Sequence, residues 1–188
     1  MQIPAAVGFA VTGTNLRRHG LRYTGSLPVL SNLLSFVYLW SEIRVQGGAY
    51  GCGFNARTDG DVFFSTYRDP QPVRSLEVFG RAADFVRGCC AEDPDLTGFI
   101  LSAVSTVDPL LNEESRMLLE DRRWFQKITP DDVRTRYREL IGTTPADLLA
   151  LCEALEAVIA DRAVCVVAGK PQLEACSSRI TESVSFLP

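Results

Sequence analysis

Apolar and polar residues alternate over residues 5–12, with Val7, Phe9 and Val11 set against Gly8, Ala10 and Thr12. Period two over this length predicts a half-buried strand. Residues 13–25 are rich in Gly, Thr and Arg and read as a loop. The period then lengthens. Ser26 is placed to cap a helix from Leu27, with Pro28 in its first turn. Val29, Leu30, Leu33, Leu34, Val37, Trp40 and Ile43 follow at helical spacing, while Phe36 and Leu39 fill other faces. The pattern predicts a helix buried nearly all round, stopped at Gly47-Gly48, where glycine accepts left-handed geometry.

Residues 49–56 and 61–67 have strand character and flank Arg57-Thr58-Asp59-Gly60, a hairpin signal. Asp69-Pro70 then opens a helix, with the carboxylate as N-cap and proline at the first position. Its apolar face is Val73, Leu76, Phe79, Ala83, Val86 and Cys90. Asp93-Pro94 repeats that signal before Leu96, Ile100, Ala103 and Val107, and Asp108-Pro109 interrupts. A further helix is expected over Glu113 to Phe125. Thr129-Pro130 and Thr144-Pro145 each open another, with Asp132 and Asp147 in the first turns, and Gly142 stops the earlier one. Ala163 to Ala168 is a short apolar strand bounded by Gly169-Lys170-Pro171. The order is strand, helix, hairpin, several helices, strand. A hairpin forces antiparallel pairing, so the expected class is α+β, a mostly antiparallel sheet with helices packed on one face. With no linker or internal repeat, 1–188 is expected to form one domain.

Composition narrows the partners. The chain carries 19 basic and 23 acidic residues, net charge −4, with no basic block, so nucleic acid is not expected. The longest apolar stretch, Leu33 to Trp40 around Ser35, is far short of the ~18–20 residues of a membrane span, and no membrane partner is expected. Met1-Gln2-Ile3-Pro4 lacks a basic n-region, and the expected location is cytoplasmic. Cys52, Cys89, Cys90, Cys152, Cys165 and Cys176 include no CxxC pair and several lie in apolar runs, which predicts reduced thiols. A redox role for the vicinal Cys89-Cys90 is an open alternative. His19 is the single histidine, so a two-His zinc site cannot be built here. It is expected to be a solvated loop residue.

Chemistry concentrates in Leu39-Trp40-Ser41-Glu42-Ile43-Arg44-Val45-Gln46-Gly47-Gly48-Ala49-Tyr50-Gly51. A helix delivers Arg44 to its last turn, two glycines follow, and a strand begins at Tyr50. Arg44 offers permanent charge and planar donors to carboxylates or peptide carbonyls. Tyr50 offers a hydroxyl to a developing oxyanion. Gly47 and Gly48 permit another backbone to approach. Structural roles also account for each: Arg44 complements a helix C-terminus, Tyr50 packs at a strand start, and the glycines stop a helix.

Ile43-Arg44-Val45-Gln46-Gly47-Gly48-Ala49-Tyr50-Gly51, followed by Ser65-Thr66-Tyr67-Arg68-Asp69-Pro70, is similar to the second-half signature of presequence-protease-like inverzincins, within the insulinase/pitrilysin superfamily of zinc metallopeptidases. There the pattern runs close to I-R-V-K-G-G-A-Y-G and then S-Y-R-D-P. Ile128-Thr129-Pro130-Asp131-Asp132-Val133 resembles the family's I-T-x-E-D start of a helix, and the resemblance spans roughly residues 26–170. It implies an enzyme of two homologous halves closing as a clamshell on unstructured peptides. The first half carries zinc on H-x-x-E-H, a motif this chain lacks. The second binds no metal, closes the chamber and contributes an Arg and a Tyr, which match Arg44 and Tyr50, beside glycines matching Gly47 and Gly48. The chain is thus expected to bind no cofactor, to work with a zinc-bearing N-terminal half and a peptide substrate, and to be inactive alone. The alternative is a non-catalytic structural or interaction module of the same fold. Gln46 replaces the usual Lys, Ser65-Thr66-Tyr67 has one residue more than the pattern, and Arg68 is expected to pair with a carboxylate.

Overall fold

The computed structural model describes residues 1–176 and Val184. Four strands form one antiparallel sheet: β1 (Phe9–Asn15), β2 (Gly51–Ala56), β3 (Asp61–Tyr67) and β4 (Val164–Val167), in spatial order β2-β3-β1-β4. The register sets Phe9 opposite Val167, Val11 opposite Ser65 and Gly51 opposite Tyr67. Alternation then sorts the faces. Ala10, Thr12, Val62, Phe64, Thr66, Phe54 and Val166 point into the core, whereas Val11 and Tyr67 are exposed on the opposite face. The helices cover only the first face, which gives the α+β class its form. Phe64 stacks on Phe79 at 4.9 Å and meets Phe54 in a tilted contact at 4.8 Å between centroids, so this trio binds sheet to helix layer.

The helices are α1 (Leu27–Leu33), α2 (Pro72–Gly80), α3 (Ala82–Ala91), α4 (Thr97–Val107), α5 (Glu113–Phe125), α6 (Pro130–Ile141), α7 (Pro145–Ala150), α8 (Cys152–Ala160) and α9 (Lys170–Ala175). Thr129 and Thr144 each cap a helix whose N3 aspartate, Asp132 or Asp147, returns a bond to the cap N–H, as the spacing predicts. The hairpin turns through Gly60 at φ 101°.

Several expectations need correction. β1 begins later and runs to Asn15, followed by a 3₁₀ turn over Leu16–His19, so residues 13–19 are ordered structure rather than loop. Ser26 has helical dihedrals and caps nothing; its hydroxyl instead accepts from Thr143 Oγ1 at 3.0 Å. Asp69-Pro70 does not start α2. Asp69 is fully buried and accepts from the Gln71 N–H (2.8 Å) and the Ser75 hydroxyl (2.6 Å), so the helix begins two residues after Pro70. The helix then breaks at Arg81, giving α2 and α3. Arg68 makes no ion pair among the described residues and occupies φ 49°. His19 does have a charge partner, remote in sequence: its Nε2 lies 3.1 Å from Asp161 Oδ1, at the corner between α8 and β4. Thr14 Oγ1 donates to the other oxygen of Asp161, pinning β1 and the 3₁₀ turn to that corner.

The largest departure is in the first helix. After Leu33 it continues over Leu34–Val45 with π winding. The Gln46 N–H bonds the Ser41 carbonyl five residues back at 3.0 Å. The buried row becomes Leu34, Leu39, Ile43, stepping by five and four. Phe36 (60%), Val37 (42%), Trp40 (42%) and Val45 (68%) are turned to solvent, so this segment is not buried all round.

Candidate functional site

The end of the π segment presents Arg44. Two nested bonds close it, Ala49 N–H to Ile43 C=O at 3.1 Å and Gly48 N–H to Arg44 C=O at 3.0 Å. Gly48 takes φ 79°, which costs a side-chain-bearing residue on the order of 1–2 kcal/mol. Gly47 is needed for a different reason: a Cβ there would stand 2.5 Å from the Ile43 carbonyl oxygen and 3.0 Å from Arg74 Nη1. Both glycines therefore have local structural causes. Helix α2 clamps this turn. Arg74 bonds the Glu42 carboxylate at 3.2 Å and its carbonyl, and Gln71 Nε2 donates to the Gly47 carbonyl at 3.1 Å. Gln46, standing where the resembling pattern has Lys, donates to Glu42 at 3.0 Å and accepts from Arg74 at 3.4 Å. An amide can do both beside Arg74, where an ammonium could only donate.

With its helix end fixed, Arg44 lays its guanidinium over the Trp40 ring, 3.9 Å from the centroid. That stacking leaves the planar N–H fork free, and Arg44 has no ion pair among the described residues. Tyr50 is 66% exposed, and its hydroxyl has no hydrogen-bond partner among the described residues. Its ring rests edge-on against Tyr67, centroids 5.8 Å apart, and Tyr67 rests in the same manner on Phe9 at 5.4 Å. The two predicted residues are thus each aimed by an aromatic neighbour.

Those neighbours share one cleft. Trp40 and Phe36 from the helix and Tyr67 from β3 line a cavity of about 460 Å³ along the outer side of β2, floored by Gly51, Cys52 and Gly53. Such a volume falls within the ~300–1,000 Å³ typical of ligand sites. Burial pushes the Cys52 thiol up to about 11, a rise that the nearby Arg44 charge partly offsets. Cys52 is therefore neutral at ordinary pH. Burial likewise raises Cys89 and Cys90, which argues against a reactive thiolate at that pair.

The sequence offers Arg44, Tyr50, Gly47 and Gly48 as candidates and gives no role to Trp40, Glu42, Gln71 and Arg74, which pack against that stretch. Trp40 had a signal, four residues before Arg44 on a helix. Arg74 and Gln71 had none, because their contact with the helix end is purely tertiary.

The residues present do not fit a zinc ion. The only histidine, His19, is engaged with Asp161, and among the described residues no group of three His, Cys, Asp or Glu side chains converges.

An antiparallel sheet covered by one helix layer is the fold of a pitrilysin-type domain. The fold superposes on pitrilysin with TM-score 0.54 at 14% identity, over 89% of this chain and 19% of that one. It superposes on a putative zinc protease from Bordetella pertussis Tohama I with TM-score 0.55 at 9% identity, over 88% of this chain and 94% of that one. More specifically, residues 1–170 match the family model "PreP C-terminal domain", and the chain belongs to that family. It is 39% identical over 154 residues to the mitochondrial presequence protease of Eremothecium gossypii, covering 78% of this chain and 15% of that protein. Against presequence protease 1, chloroplastic/mitochondrial, of Arabidopsis thaliana it is 27% identical over 179 residues, covering 94% and 16%. Against protein HypA of Clostridium perfringens it is 24% identical over 168 residues, covering 89% and 17%. The chain therefore spans under a fifth of the length of these relatives.

Proposed function

We propose that the chain is the C-terminal domain of a zinc-dependent endopeptidase acting on unstructured peptides, inactive alone and completed by a zinc-bearing N-terminal half. In this reading the domain closes the chamber. Arg44 holds a backbone carbonyl or carboxylate of the peptide through its free N–H fork. Tyr50 donates its hydroxyl to the oxygen that becomes negative as the peptide carbonyl is attacked. A donor placed for that charge lowers the barrier because it strengthens in the transition state. The observation that carries the reading is the pairing of two donors without hydrogen-bond partners among the described residues, half-buried Arg44 and exposed Tyr50, each resting on an aromatic wall residue of one cleft.

The test is Tyr50→Phe in the full-length peptidase. The expected result is a fall in kcat of about 10²–10³-fold with KM little changed, the mark of an interaction made only in the transition state. An unchanged kcat would sink the oxyanion role.

One observation favours a second reading, an interaction module. Helix α5 fully buries none of its residues and exposes Met117, Leu118, Trp124 and Phe125. Under that reading Arg44 and Tyr50 are replaceable without loss of activity in any assembly, which the same kinetic measurement decides.

A further inference from the structure

β2 is an edge strand, and its outer side is only partly closed. Phe54 turns its backbone away from β3: its N–H donates to Ser35 Oγ at 3.0 Å, and its carbonyl accepts from the hydroxyls of Ser31 and Ser35. Hydrogen-bonding direction alternates along an antiparallel strand. Cys52, two residues earlier, therefore directs its own N–H and C=O to the same outer side. Among the described residues no side chain caps them. This open pair lies two residues from Tyr50 and borders the cleft walled by Phe36, Trp40 and Tyr67.

The cleft has a definite chemistry. No charged side chain lines it. Its polar atoms are hydroxyls and amides, including Ser31, Asn32, Ser65 and Asn55. The floor is bare because β2 carries glycine twice. A Cβ on Gly53 would meet only Ser35 Oγ at 3.4 Å and Asn55 Nδ2 at 3.8 Å, and one on Gly51 only Tyr67 Cβ at 3.6 Å. A charged side chain entering here would lose water and find no charged group among the lining residues, and Arg44, the cation on the Trp40 ring, is in this reading taken by the peptide backbone. An aromatic one would meet ring faces and edges at Trp40 and Tyr67. Continuity supplies the occupant: Arg44 rests on Trp40 and Tyr50 on Tyr67, so a chain held by both runs into this cleft.

We propose that the cleft receives one uncharged aromatic or branched aliphatic side chain of an extended peptide, whose backbone pairs with Cys52 on the outer edge of β2. The proposal deepens the peptidase reading and rests on it for the peptide's identity, but its test reads binding rather than turnover. The chain has two tryptophans, Trp40 and Trp124. In a Trp124→Phe background the emission of Trp40 reports on the cleft alone. The probes are an unstructured Gly/Ser/Ala peptide with one central Phe, and the same peptide with Glu in its place.

The Phe peptide should shift Trp40 emission saturably, and the Glu peptide should bind at least about tenfold more weakly, a difference of about 1.4 kcal/mol. Gly53→Val, which fills the floor, should weaken the Phe peptide by a similar factor. Phe36→Ser, an exposed wall substitution, should do the same if Gly53→Val fails to fold. Equal binding of both peptides, no saturable change, or unaltered binding by a folded wall or floor variant overturns the proposal. Should Tyr50→Phe leave kcat of the full peptidase intact while Phe-selective binding persists, the catalytic reading falls and the cleft stands as a peptide site.

Discussion

Asp69 is fully buried and yet holds the turn before α2 through two acceptor oxygens. Asp69→Ala would leave the Gln71 N–H and the Ser75 hydroxyl without partners, at a cost on the order of 1–3 kcal/mol each. Urea denaturation should show that loss, and a midpoint equal to wild type would remove the claim. Asp161 gives a pH-dependent case. The Thr14 hydroxyl, and after it His19, hold its carboxyl below the ordinary carboxylate range. A depressed carboxylate favours the folded state above its unfolded pKa of ~3.9, and that contribution fades as pH falls through the lower folded value. Carboxyl NMR should place the Asp161 titration below ~3.9, and Asp161→Asn should flatten the acid limb of the stability curve. A midpoint at or above the ordinary value would contradict this. Neither residue's partners were visible in sequence. Asp69 carries a helix-start signal that Gln71 takes over two residues later, and Asp161 meets His19 only after β1 and β4 pair. Arg44 and Tyr50, by contrast, stand out as candidates in the sequence itself, because a helix end, a glycine pair and a strand start lie within one short stretch.

At the scale of elements, local chemistry succeeds where its partners are local. The Thr-Pro-Asp-Asp and Thr-Pro-Ala-Asp starts of α6 and α7 form the two expected capping boxes, since every atom involved lies within four residues. Thr129→Ala and Thr144→Ala should each cost about 1 kcal/mol, measurable as a lowered Tm. The glycine pair tests the helix end. Gly48→Ala should be destabilising through φ alone, and Gly47→Ala more so, because its Cβ collides with the Ile43 carbonyl oxygen at 2.5 Å. Equal Tm losses would show that the turn yields more readily than its geometry implies. The helix before it departs from its expected burial for a definable reason. The expected burial assumes a 3.6-residue period, but i→i−5 bonding rotates each residue less, so Phe36 and Trp40 leave the core. Composition cannot distinguish the two windings, since both present apolar residues on several sides.

Across the whole molecule, two surfaces lie outside the single core. One is the helix-free face of the sheet, with Val11 and Tyr67 exposed; the other is α5, whose Trp124 and Phe125 are 75% and 76% exposed. A chain covering 15–17% of its relatives leaves most of such a protein to be accounted for, and exposed aromatic clusters mark contact surfaces. The double variant Trp124→Ser, Phe125→Ser should lower binding of a hydrophobic dye to the isolated chain while shifting Tm by no more than a few degrees, since surface substitutions typically stay within ~0.5 kcal/mol. A large fall in Tm would mean these rings pack within the domain after all. The α+β class was legible at this scale because the hairpin forces antiparallel pairing. The strand order was not, because β1 inserts between β3 and β4 through pairs remote in sequence, from Asn15 with Asp61 to Phe9 with Val167.

The serines on the first helix carry a consequence for life in a crowded solution. A strand edge with a continuous row of free amides and carbonyls is a template on which other chains can stack without limit. Ser35 and Ser31 occupy that row at Phe54. The open row is therefore interrupted partway along a strand of only six residues.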